Sequence, residues 1–122
     1  MKKNQQRVLV VEDDDMIRIC INEYLLHMGF KVTQAENAEK GLEMFNGNDF
    51  DFAVIDYRMP KMNGLEMAKE IRKMNSRAVI IMISGDPNVK YRPLDFIDHF
   101  LEKPFKFEEL NHLLNQPHVS AA

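Results

Sequence analysis

Residues 8–15 read Val-Leu-Val-Val-Glu-Asp-Asp-Asp, and the fold follows from the join inside that stretch. Val8 to Val11 is a short, continuous apolar run, as a strand buried on both faces of a sheet requires. The acids from Glu12 to Asp15 end it. A helical period then takes over. Ile17, Ile21, Tyr24, Leu25 and Met28 recur at three- and four-residue spacing, and Gly29 stands where a helix would stop.

The alternation continues outward from that join. Phe30 to Glu36 is more polar, as expected of a strand near a sheet edge. Asn37 is placed to cap a helix carrying Ala38, Leu42 and Phe45, closed by Asn46 and Gly47. Phe52 to Ile55 is a second buried strand, ending at Asp56. A loop with Pro60 and Gly64 leads to a helix with Leu65, Ala68, Ile71 and Met74. Ala78 to Ile83 is the most apolar strand and ends at Ser84. Residues 85–97, with Pro87 and Pro93, read as a short or broken helix. A weak strand over 98–102 follows, and Pro104 opens a last helix with Phe107, Leu110, Leu113 and Leu114. Five strand–helix units predict an α/β, doubly wound, five-stranded parallel sheet. The expected order is 2-1-3-4-5, flavodoxin-like, with helices on both faces. Residues 1–122 read as a single domain with an ordered core over about 6–115 and a frayed tail from Gln116.

Bulk properties narrow the function classes. The chain has 122 residues, 45% apolar and 29% charged, with net charge −3. There is no basic run and no zinc-finger spacing, so direct nucleic-acid binding is not expected. The single cysteine, Cys20, cannot form an internal disulfide and reads as a small core hydrophobe. Neither a signal peptide nor a membrane span is evident, and the expected location is cytoplasmic.

In such a sheet, ligands bind beyond the carboxyl ends of the strands. The chemically useful residues fall there: Glu12 and Asp13 after strand 1, Asp56 ending strand 3, Ser84 ending strand 4, and Lys103 after strand 5. Strands 1, 3, 4 and 5 are neighbours in the expected order, so these groups should converge. Two carboxylates about 4 Å apart repel by about 4 kcal/mol at an effective dielectric near 20, so a cation is expected among the acids. An all-oxygen set in a small open site favours Mg2+. A carboxylate nucleophile, a metal, an ammonium and a hydroxyl around one point suit phosphoryl transfer.

Four segments together resemble the response-regulator receiver family, the CheY-like domains. They are residues 8–15, Val-Ile-Asp-Tyr-Arg-Met-Pro-Lys-Met-Asn-Gly at 54–64, Ile-Ile-Met-Ile-Ser-Gly at 80–85, and Phe-Leu-Glu-Lys-Pro-Phe at 100–105. The resemblance implies that Asp56 is the phosphoacceptor. It implies that Asp13 and Asp56 bind Mg2+ directly, that the backbone carbonyl of Arg58 completes the shell, and that Glu12 acts through a metal-bound water. Ser84 and Lys103 would hold phosphoryl oxygens, and Ser84 with Phe100 would form the switch. Arg58 and Asp86 would flank the route of attacking water. The implied partners are a histidine kinase or a histidine phosphotransfer protein, and an output partner or output domain that the residues do not specify. Homodimerisation through the fourth and fifth segments is left open. The domain would assist its own modification without being a conventional turnover enzyme. Three features depart from the family pattern: Glu12 where Asp is commoner, Phe100 where Tyr is common, and a segment between Ser84 and Phe100 a few residues short.

Asp14 and Asp15 are better read as helix N-terminal residues, Ser84 can also cap a helix, and Arg58 and Asp86 can be solvated charges. Most of the methionines read as core filler and the histidines 27, 99, 112 and 118 as surface residues. One rival function is a phosphorylation-independent protein-interaction module of the same fold. A second is a dehalogenase-like phosphatase, but Tyr57 and Arg58 follow Asp56 where a second acid would stand. Dinucleotide binding lacks its Gly-x-Gly-x-x-Gly loop.

Overall fold

The computed structural model describes residues 5–74, 77–86 and 96–116. Strand β1 (Arg7–Val11) is buried from Val8 onward and lies between two other strands. Helix α1 (Asp15–His27) follows. Asp14 caps it, its carboxylate accepting the Ile17 N–H at 3.0 Å. Gly29 ends the turn after α1 at φ +97°, a left-handed conformation that a residue with a Cβ rarely adopts. Strand β2 (Lys31–Ala35) is the polar edge, as read from the sequence. Helix α2 (Ala38–Phe45) is capped by Asn37, which accepts the Lys40 N–H at 2.8 Å. Strand β3 (Phe52–Asp56) is buried throughout, and α3 (Gly64–Met74) follows it. Strand β4 (Val79–Ser84), strand β5 (His99–Glu102) and helix α4 (Phe107–Leu114) complete the described elements.

The five strands pair in parallel in the order β2-β1-β3-β4-β5, the doubly wound arrangement the alternation predicts. Side chains alternate across the sheet. Leu9, Val11, Ala53, Ile55, Ile80 and Met82 face α2 and α3, meeting Phe45, Met67 and Ile71. Val8, Val10, Val54, Ile81 and Ile83 face α1 and α4, meeting Ile21, Leu25, Leu110 and Leu114. The core is thus two apolar layers separated by the sheet, and polar groups gather at its ends.

Several local expectations change. Cys20 is exposed, not a core hydrophobe, because α1 is apolar on both sides and turns Cys20 outward with Met16 and Ile19. Met28 and Met74 are also exposed, whereas Met59, Met67 and Met82 are buried. Pro104 does not open the last helix. That helix starts at Phe107, where Lys106 and Glu109 form a capping pair through the Lys106 N–H to Glu109 carboxylate bond at 3.0 Å. His27 and His112 are at the surface, but His99 is half-buried within β5. The expected broken helix over 85–97 lies largely outside the described residues, as do Pro87, Pro93, His118 and the tail beyond Gln116. Among the described residues no helix is long and apolar enough to cross a membrane.

Candidate phosphoacceptor site

Backbone bonds that continue the ladders hold the chain where β1, β3 and β5 end. The Glu12 N–H donates to the Ala35 carbonyl at 3.1 Å, the Tyr57 N–H to Ile83 at 2.8 Å, and the Lys103 N–H to Ser84 at 2.8 Å. Asp56 is therefore held between a ladder bond on its own strand and one on the next residue. The β3–α3 loop is tied back as well. The Gly64 N–H donates to the Tyr57 carbonyl at 2.9 Å, and Asn63 accepts the Glu66 N–H at 2.9 Å. Gly64 lies so close to β3 that an added Cβ would sit 2.5 Å from the Asp56 carbonyl oxygen.

The acids and the ammonium meet. Lys103 Nζ lies 3.1 Å from Asp56 Oδ1 and 3.3 Å from Glu12 Oε1. Glu12, Asp13 and Asp56 each present a carboxylate oxygen, and these lie within 4.8 Å of one another. Glu12 and Asp56 are buried, whereas Asp13 is exposed at the mouth. The Glu12 carboxylate also accepts the Asp14 N–H at 3.2 Å.

Burial sets the proton affinities. It pushes the Glu12 carboxyl up to about 7, and the negative charge of Asp56 adds to the rise against the opposing Asp14 N–H and Lys103. Burial also raises Asp56, and the Lys103 hydrogen bond and charge offset only part of that. For Lys103, burial acts to lower the ammonium's pKa, but the Asp56 and Glu12 partners outweigh it and the net direction is up. Two buried acids with one ammonium form a site short of positive charge. Its donors are all oxygen, which suits a hard divalent cation such as Mg2+ and not a thiolate- or imidazole-seeking metal.

The other residues that the sequence nominates lie on β4, on β5 and in the segments that follow β3 and β4. Ser84 ends β4 and is buried; its Oγ accepts the Asp86 N–H at 2.9 Å, so the hydroxyl shapes the turn after the strand. Arg58, exposed, and Asp86, half-buried, line the same recess of about 510 Å³ together with Asp13, Tyr57 and Asn63. Phe100 stands opposite Met82 in the β4–β5 register and is half-buried against the α2–α3 layer.

Two arginines escape a reading of the sequence. Arg18 donates to the Glu12 carbonyl at 2.9 Å and to Asp15 Oδ1 at 2.6 Å. Arg72 donates to the carbonyls of Ala78 at 2.7 Å and Phe96 at 2.8 Å, and to Asp98 at 2.9 Å. Their acceptors are mainly backbone carbonyls, which a residue of any type can supply, so no residue pattern marks them.

Fold and site together define a CheY-like signalling domain, and the sequence agrees. Residues 8–115 match the Response regulator receiver domain family, and the chain belongs to it. Among solved structures it is similar to the response regulator TrrA of Thermotoga maritima in complex with Mg2+-BeF. The identity there is 33%, over 90% of this chain and 96% of that one, with TM-score 0.84. TrrA also occurs in complex with the histidine kinase ThkA, matched at TM-score 0.82 with the same identity and coverage. Among curated proteins, the autoinducer 1 sensor kinase/phosphatase LuxN of Vibrio campbellii is 34% identical over 111 residues, 88% of this chain. The Thermotoga maritima cyclic di-GMP phosphodiesterase is 34% identical over 106 residues, 84% of this chain. The chain spans only 13% and 28% of the lengths of these two relatives.

Proposed function

We propose that Asp56 accepts a phosphoryl group from a phosphohistidine on a histidine kinase or phosphotransfer protein, and that the modified domain switches its surface toward an output partner. The observation that carries this reading is the meeting of Lys103 Nζ with Asp56 at 3.1 Å beside the carboxylates of Glu12 and Asp13. The TrrA complexes with Mg2+-BeF and with a histidine kinase support both the metal and the partner class.

Asp13 and Asp56 would hold Mg2+ directly with the Arg58 carbonyl, and Glu12 through water. When bound, the cation supplies charge neutralisation at the phosphoryl oxygens. The chain's own groups do the rest. The Asp56 carboxylate attacks phosphorus in line, and the P–N bond to the donor histidine breaks, leaving the electron pair on that imidazole. Lys103 follows the negative charge from the free carboxylate to the phosphoryl oxygens. Leaving the Asp86 turn, the Ser84 hydroxyl donates to one of those oxygens, and Phe100 turns inward behind it. The phosphoryl group shifts the population by binding the active arrangement better than the resting one. Water later cleaves the acyl phosphate past Arg58 and Asp86. The domain thereby takes part in its own modification without conventional turnover.

The test is intact mass before and after acetyl phosphate with Mg2+, with the modified residue mapped. The expected result is one added phosphoryl group on Asp56, abolished in Asp56→Asn. Undiminished labelling of that variant would reject Asp56 as acceptor. A chain that neither labels nor responds to beryllofluoride with Mg2+ would instead be a phosphorylation-independent interaction module.

A further inference from the structure

We propose that Arg18 is a positioning residue for the acidic loop, fixing the Glu12–Asp13 peptide so that the carboxylates of both residues face Asp56. The role presupposes the metal-assisted phosphoryl acceptance proposed above and goes beyond it, because the Arg18 guanidinium bonds to the Glu12 carbonyl and to Asp15 and not to a carboxylate of the triad.

The geometry singles out this side chain. Arg18 belongs to α1, one turn past the acids, and its own N–H donates to the Asp14 carbonyl at 2.9 Å. Its guanidinium reaches back, donating from one nitrogen to the Glu12 carbonyl at 2.9 Å and from the other to Asp15 Oδ1 at 2.6 Å. The side chain is 13% exposed, while its partner Asp15 is 76% exposed. A surface ion pair three residues apart contributes little on its own. The bond to Glu12 is the one made in the part-buried interior, and a planar, forked guanidinium holds two acceptors in a fixed relation as an ammonium cannot.

That carbonyl matters because of what shares its peptide. The peptide unit is planar, so fixing the Glu12 oxygen fixes the Asp13 nitrogen and the direction in which Asp13 leaves the sheet. Glu12 is already held on its other side by its N–H to the Ala35 carbonyl, and its carboxylate accepts the Asp14 N–H at 3.2 Å. Arg18 therefore closes a frame around the point where β1 stops and the acids begin. Partners that orient metal-ligating side chains commonly alter metal affinity by tenfold or more when lost.

A simple charge effect has the opposite sign. Arg18 is a cation beside an acidic cluster, and removing it also frees the charge of Asp15. By electrostatics alone, Arg18→Met should tighten Mg2+ binding. As a positioning residue, its loss should weaken binding.

The test titrates Mg2+ alone into wild type, Arg18→Met and Arg18→Lys by calorimetry at constant ionic strength and about pH 8, where Glu12 is ionised. Protection of the Asp14 amide against exchange is measured in metal-free protein, and thermal melting checks that each variant folds. The expected result is a Kd raised about tenfold in Arg18→Met, a smaller rise in Arg18→Lys, and faster Asp14 exchange in both. An unchanged or lowered Kd in a folded variant overturns the proposal and leaves phosphoacceptance standing. Unaltered Asp14 protection also overturns it, whatever the metal does. Absence of saturable Mg2+ binding by wild type overturns the metal reading and this role with it.

Discussion

Without a bound cation, the site should make the chain less stable as the pH rises through neutrality. Glu12 is 2% exposed, and its folded-state value is about 7 against an ordinary 4.5. The folded state therefore keeps a proton that the unfolded chain has already released across that window. Stability changes with pH in proportion to the protons bound unfolded minus those bound folded, and here that difference is negative. Stability should fall from about pH 4.5 to just above 7 and then level. At about 1.4 kcal/mol per pH unit, a rise of this size amounts to about 3 kcal/mol. Asp56, raised in the same direction, adds to the decline, while the raised Lys103 adds its favourable share until far more alkaline pH. The assay is urea denaturation in a chelator, followed by far-ultraviolet circular dichroism at closely spaced pH values, for wild type and Glu12→Gln. The variant should lose most of the decline and be the more stable protein at about pH 8. Parallel profiles for the two proteins, or stability rising with pH through the window in wild type, would refute the assignment of the decline to Glu12.

Other perturbations have equally definite outcomes. Lys103→Met removes the ammonium that touches both Glu12 and Asp56, so the pH window should move upward and acetyl phosphate labelling should slow by about a hundredfold, read by intact mass. Gly64→Ala drives a methyl group against the Asp56 carbonyl and the Tyr57 backbone, and should cost about 2–3 kcal/mol in a denaturation curve. Gly41→Ala meets mainly the flexible end of Met67 and should cost about 1 kcal/mol, so equal losses at the two glycines would contradict the difference in what each approaches. Arg72→Met strips donors from the Ala78 and Phe96 carbonyls and from Asp98, and should destabilise by about 2 kcal/mol while leaving Mg2+ affinity unchanged in calorimetry.

Much of this molecule is written in short-range patterns. The runs at Val8–Val11, Phe52–Ile55 and Ala78–Ile83 announce strands covered on both faces, and the sheet order then brings Glu12, Asp56 and Lys103 together from distant parts of the chain. Asp14 and Asn37 are legible as caps because a cap needs only its own following turn. Cys20 misleads because α1 carries apolar residues on nearly every side, and a period cannot choose a face where the contrast is missing. Pro104 passes for a helix start because the true cap, Lys106 with Glu109, carries none of the usual small polar signals. The two arginines are invisible for another reason: a guanidinium seeking a main-chain oxygen is indifferent to which residue supplies it.

The backbone bonds at Glu12, Tyr57 and Lys103 also decide how damage elsewhere reaches the pocket. Because these bonds continue the ladders, the floor of the pocket is tied to the ends of the sheet, and opening it breaks sheet hydrogen bonds. A destabilising substitution far away therefore leaves each intact molecule with normal chemistry and merely thins out the intact fraction. Lost labelling from such a change should return on cooling toward the stability maximum or on adding an excluded osmolyte, while a lesion in the pocket itself should respond to neither.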